Sequence, residues 1–164
     1  MSAAKSVFGV LVFLCIALLW GGVSSAGEAA AGRFFLVGDG KLHIRNEKEG
    51  RTARIALLNA DGTLNEASRK DADRIFGIKN AEGPTRVSLR LLFLLDYFSD
   101  KAAPGAQIGL LSGYRSPAYN EGLKKSGGNV AKTSLHMDAM AVDFFIEGVD
   151  GKSLWEMIRQ ENCC

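Results

Sequence analysis

The chain opens on an apolar run and then changes character. Val7 to Trp20 is hydrophobic apart from Gly9. Beyond residue 40, apolar and polar positions alternate or recur at helical spacing. Lys41-Leu42-His43-Ile44-Arg45 has period two and predicts a strand. Ala53 to Leu58 predicts its hairpin partner across a polar turn at 47–52. Asn65 stands where it caps a helix reaching about Ile78, with Ala67, Ala72, Ile75 and Phe76 on the inner side. A second helix, Arg86 to Phe98, is apolar nearly all round and so belongs at the centre of the core. Pro104-Gly105 breaks the chain, and Gln107 to Leu111 predicts an inner strand. Ser116 caps a short helix over 117–125, with Pro117 at its first position. Ala141 to Ile146 predicts a buried strand. Ser153 opens a last amphipathic helix bearing Leu154, Trp155 and Ile158. Together these elements predict one α+β domain, a small mostly antiparallel sheet packed against helices.

The opening run is a separate object. Lys5 precedes it and the small residues Gly21 to Ala26 follow, which is the layout of a secretory signal peptide cut after Ala26. Its 14 residues fall short of the roughly 20 that span a bilayer, so a retained anchor is the weaker reading. The expected organisation is a signal peptide at 1–26, a linker at 27–37 and a domain at 38–164. Export is expected, into the periplasm if the source has two membranes, with no membrane span after signal removal.

Composition adds exclusions. Of 20 basic and 18 acidic side chains, only Lys5 lies in the leader, so 19 and 18 remain and the net charge is about +1. That balance argues against a dedicated binder of nucleic acid or anionic membrane. The chain is 47% hydrophobic, and its composition reads as globular. Cysteine offers no staple: Cys15 leaves with the leader, and Cys163 and Cys164 are adjacent.

The candidate chemistry lies between Ser112 and Asp143. Asp143 sits in the otherwise apolar Ala141-Val142-Asp143-Phe144-Phe145-Ile146, where a carboxylate is costly unless a cation or strong donors meet it. His136 stands seven residues earlier. A neutral imidazole and a carboxylate make a zinc ligand pair that needs a third protein ligand and leaves the fourth position to water. The spacing alone is unspecific and favours the plain alternative, a structural histidine and a strand carboxylate held by backbone donors. Arg115, between Tyr114 and Ser116, offers a guanidinium fork for a carboxylate or a developing oxyanion, or a partner for an acid such as Asp143 itself.

Taken together, Ser112-Gly113-Tyr114-Arg115-Ser116 and Ser134-Leu135-His136-Met137-Asp138-Ala139-Met140-Ala141-Val142-Asp143 resemble the D-alanyl-D-alanine carboxypeptidase-like zinc peptidases, and most of all their murein endopeptidase branch. The resemblance runs over roughly 38–161. It implies zinc as cofactor, His136 and Asp143 as metal ligands, Arg115 as the residue steadying substrate and developing charge, Ser134 as a substrate contact, and peptidoglycan peptides as substrate. Two departures stand out. Ala139 replaces the family's usual glycine three residues after the histidine, a change expected to be mild. The family's third zinc ligand is a histidine on a strand after the last helix, where this sequence reaches Cys164. The resemblance therefore implies a fold lacking its last strands, and a chain with little or no activity. His43, the other histidine, reads as a strand-face residue. The alternatives are a non-catalytic module holding cell-wall peptides, and a structural envelope protein in which Arg115, His136 and Asp143 form only a polar network.

Overall fold

The computed structural model describes residues 36–80, 85–127, 131 and 133–161. The expected leader, most of the linker and the Cys163-Cys164 pair lie outside the described residues.

Alternation builds the first strand, β1 (Lys41–Asn46): Leu42, Ile44 and Asn46 point inward while Lys41 and Arg45 stay in water. β2 (Arg51–Ala56) pairs with it antiparallel, from Lys41 opposite Ala56 to Asn46 opposite Arg51. This strand begins two residues earlier than the pattern predicts, because the turn is tighter. Asn46 Oδ1 accepts from the N–H groups of Lys48 and Glu49, and its carbonyl accepts from Gly50. Gly50 takes the left-handed φ of 66° that closes the turn.

Helix α1 (Glu66–Ile75) is capped as expected, with Asn65 Oδ1 accepting from Ser68 N at 3.0 Å. Ala72, Ile75 and Phe76 are buried, but Ala67 is exposed. Helix α2 (Leu89–Ala102) starts three residues later than predicted. Asp73, fully buried on α1, accepts from Val87 N at 2.9 Å and pairs with the Arg86 guanidinium, which fixes 86–88 in a non-helical approach. The helix buries Leu92, Leu95, Asp96, Phe98 and Ser99, while Arg90 is exposed.

β3 (Ile108–Ser112) runs parallel to β1 with Ile44 opposite Ile108. β4 (Asp143–Ile146) runs antiparallel to β3. The sheet order is β2-β1-β3-β4, so two of its three pairings are antiparallel and the α+β expectation holds. Between β3 and β4 lies α3 (Pro117–Lys125), with the predicted bounds and cap: Ser116 Oγ accepts from Tyr119 N. α4 (Gly151–Gln160) is capped by Asp150 and starts two residues before the predicted opening at Ser153. Leu154 is buried and Ile158 packs on the core, but Trp155 is 61% exposed.

One face of the sheet meets the helices. Ile44, Ile55, Ile108 and Ile146 pack there with Phe76, Leu92 and Leu154 in a single cluster. Each such side chain contributes about 1.5–3 kcal/mol when fully buried. Among the described residues no helix is long and apolar enough to cross a membrane.

Candidate functional site

Both halves of the motif meet at one end of β3. Ser112 is its last residue, and Gly113 to Ser116 carry the chain to α3. Gly113 is there because nothing larger fits: a Cβ on it would lie 2.5 Å from Phe76 O. The close approach is locked by Tyr114 N donating to Phe76 O at 2.8 Å. Arg115 follows, its Nε donating to Ser112 Oγ at 3.0 Å.

The loop from Ser134 to Met140 is wound by successive turn bonds, Met137 N to Ser134 O at 2.8 Å and Met140 N to Leu135 O at 2.9 Å. It is tied to the first loop by Arg115 N donating to His136 O at 3.0 Å. Ala139 completes the winding at φ 52°, the one non-glycine residue with positive φ among the described residues, and it is fully buried. Replacing glycine here is therefore not the mild change the sequence suggests, because a side chain in the left-handed region carries a steric cost of about 1–2 kcal/mol.

His136 is 8% exposed, and its ring orientation is set by Gly113, whose carbonyl lies 2.7 Å from Nδ1. A carbonyl only accepts, so Nδ1 carries a proton, and in the neutral ring Nε2 is the lone-pair nitrogen. That nitrogen faces Asp143 Oδ1 at 3.6 Å. The other carboxylate oxygen, Oδ2, accepts from Arg115 Nη2 at 2.8 Å. Arg115 Nη1 has no acceptor among the described residues.

Asp143 departs from expectation. It is the first residue of β4, not the middle of a buried strand, and its side chain is 52% exposed. Ala141 and Val142 lie outside the strand. Burial therefore does not force a cation onto this carboxylate. The carboxylate instead faces a histidine nitrogen: a proton on Nε2 makes the contact an ion pair, and a metal ion between the two atoms makes them ligands, two ligands of one tetrahedral zinc standing about 3.3 Å apart. The donor set fits zinc.

Ser134 begins the His136 loop, half-buried, and its hydroxyl makes no bond among the described residues. His43 is elsewhere: its Nε2 meets Gln107 Nε2 at 3.0 Å, toward the opposite end of β3 from Ser112 and Asp143. Among the described residues, no third His, Cys, Asp or Glu joins His136 and Asp143 as a compact ligand group; the one such trio is Asp39, Asp96 and Asp100. Backbone donors explain that trio. Asp96 accepts from the N–H groups of Gly38, Gly40 and Lys41, and Asp100 from that of Asp39. Burial pushes the Asp96 carboxyl above its ordinary range, and the Gly40 and Gly38 donors only partly offset this.

Two contributors escaped the sequence reading. Gly113 supplies the carbonyl that selects the His136 tautomer, and Ser112 Oγ fixes the Arg115 fork. The signal for Gly113 was present: a glycine between a strand and a functional arginine marks a close backbone approach. Beside Arg115 opens a cleft of about 640 Å³, walled by the β1–β2 turn, the segment after α1 and the first turn of α3. Arg115 lines it; His136, Asp143 and Ser134 do not.

No curated protein and no solved structure gives a significant match to the chain. Residues 38–162 match the family described as peptidoglycan L,D-endopeptidase MepK, which covers the whole described domain from before β1 to the end of α4. With that match over three quarters of its length, the chain belongs to the peptidoglycan L,D-endopeptidase family, a murein endopeptidase branch of the D-alanyl-D-alanine carboxypeptidase-like peptidases.

Proposed function

We propose that this protein is an exported, zinc-dependent endopeptidase that hydrolyses peptide bonds in peptidoglycan, with His136 and Asp143 as two of its metal ligands. One observation carries the metal assignment. With Nδ1 bonded to Gly113 O, the lone pair of His136 Nε2 and Asp143 Oδ1 converge at 3.6 Å. Zinc held there supplies Lewis-acid chemistry, acidifying a water and polarising the scissile carbonyl.

The chain's own residues do the rest. Gly113 holds the histidine in the ligating tautomer. Arg115 steadies Asp143 through Nη2 and keeps Nη1 for a substrate carbonyl or carboxylate, where it opposes charge developing in the reaction. Ser134, on the same loop as His136, offers a hydroxyl to the peptide. The periplasm is the natural compartment for such a substrate.

Two ligands alone bind zinc weakly. The test is zinc titration of the full chain against a chromophoric competitor, followed by digestion of purified cross-linked peptidoglycan. Zinc binding that disappears in His136→Ala and Asp143→Ala supports the assignment. Equal zinc binding in the wild type and both variants refutes it.

Arg115 Nη1, which meets no acceptor among the described residues, also supports a second reading, a module that holds wall peptides without cutting them. Under that reading Arg115→Ala abolishes peptide binding, while zinc leaves it unchanged.

A further inference from the structure

We propose that the cleft beside Arg115 reads a free carboxylate on the bound peptide, and that Lys48 and Lys79 are the residues that read it. The kind of ligand rests on the peptidase reading above; the charge preference rests on the cleft alone.

The cleft is held open by a specific contact. Asn46 at the end of β1 donates from Nδ2 to Ile75 O at 2.9 Å, so the turn carrying Lys48 and the segment carrying Lys79 form one wall. Both lysines line the cleft and are exposed, and neither ammonium has an acceptor among the described residues. Glu49 also lines it, but its carboxylate is taken by Arg51. Arg115 also lines the cleft, and its Nη1 has no acceptor among the described residues. Two lysines without an acceptor among the described residues thus line one cleft, and Arg115, whose charge Asp143 balances, adds an N–H donor there, in a chain whose formal net charge is only +2. The local field comes from this placement, not from overall composition. The rim carries Tyr119, half exposed, as an apolar face for the peptide backbone. At about 640 Å³ the cleft takes several residues of an extended peptide. Arg115 joins it to the His136–Asp143 pair, so a peptide seated there passes the candidate metal site.

A carboxylate can come from a side chain or from the peptide's C-terminus. Each exposed ammonium–carboxylate contact is worth up to about fivefold in affinity and weakens with salt. The experiment titrates the full chain by calorimetry with the synthetic peptide acetyl-Ala-Gln-Glu-D-Ala. It is repeated with the analogue bearing glutamine for glutamate, and with the C-terminal amide. Wild type is expected to lose about fivefold or more in affinity with one of the two analogues, which identifies the carboxylate that is read. The double variant Lys48→Gln/Lys79→Gln is expected to bind all three peptides alike, with unchanged melting temperature.

Equal binding of all three peptides by the wild type, or no binding of the parent peptide, overturns the proposal, and that comparison needs no variant. A preference that survives in the double variant removes the lysines from it. Zinc titration of the same samples keeps the two readings apart. A zinc-competent protein without carboxylate preference sinks only this proposal. A carboxylate preference without zinc binding sinks only the metal assignment.

Discussion

Gly113→Ala tests the link between fold and site most directly. The added Cβ would stand 2.5 Å from Phe76 O and 3.0 Å from Phe76 Cα. Both atoms are backbone at the end of α1, so no side-chain rotation relieves the clash. Either the end of β3 moves away from α1 or Phe76 shifts within the core, where it is 1% exposed. Overpacking of this kind costs about 1–3 kcal/mol. Separation also weakens the bond from Tyr114 N to Phe76 O and moves the carbonyl that holds His136, adding about 1 kcal/mol. The expected loss is about 2–4 kcal/mol, measured by urea unfolding followed by circular dichroism. Histidine side-chain nitrogen spectra give the second readout: neutral His136 is the Nδ1–H tautomer in the wild type and a tautomer mixture in the variant. A variant within about 0.5 kcal/mol of wild type, with His136 still in one tautomer, refutes the reasoning.

Asp73→Ala leaves the Arg86 guanidinium and the Val87 N–H without their buried acceptor and is expected to cost about 3–5 kcal/mol in the same unfolding assay. Ala139→Val puts a β-branched side chain at φ 52° in a fully buried position and should cost at least about 2 kcal/mol, whereas Ala139→Gly relieves the left-handed strain and should gain up to about 1 kcal/mol. Glu161 is held below its ordinary carboxylate range by Lys101 and then Tyr97, so its contribution is complete above its unfolded value and is lost as pH falls through the folded one. Unfolding midpoints measured from pH 6 down to pH 3 should therefore fall more steeply in the wild type than in Glu161→Gln.

Local signals carried the elements whose ends are set locally. Ser116-Pro117 placed α3, and Asn65 placed the start of α1, because each cap bonds an amide three residues ahead. The errors came from partners distant in sequence. α2 starts late because Asp73, 14 residues before Val87, takes the amide that would have entered the helix. Asp143 was read as buried from its apolar neighbours. Alternation along β4 and its place outermost in the described sheet leave it and Phe145 facing out, with only Ile146 fully buried. The site residues were legible as a motif, but their mutual geometry was not. The bond from Gly113 O to His136 spans 23 residues, and the left-handed turn at Ala139 is invisible in a residue type that usually avoids it.

The parallel pairing at the centre of the sheet sets the order in which this protein can fold. β1 and β2 meet across a short turn and can zip together early. β1 and β3 meet only after Ile44 finds Ile108, 64 positions away. Closing that loop costs about 2 kcal/mol more chain entropy than closing the hairpin, before any contact rewards it. Ser112, Arg115, His136 and Asp143 all assemble on β3 or beyond. Folding should therefore be slow for a domain of this size, and the candidate site should be the last part to form. Until then the inner face of the hairpin, with Leu42, Ile44 and Ile55, has only α1 from its own end of the chain to cover it.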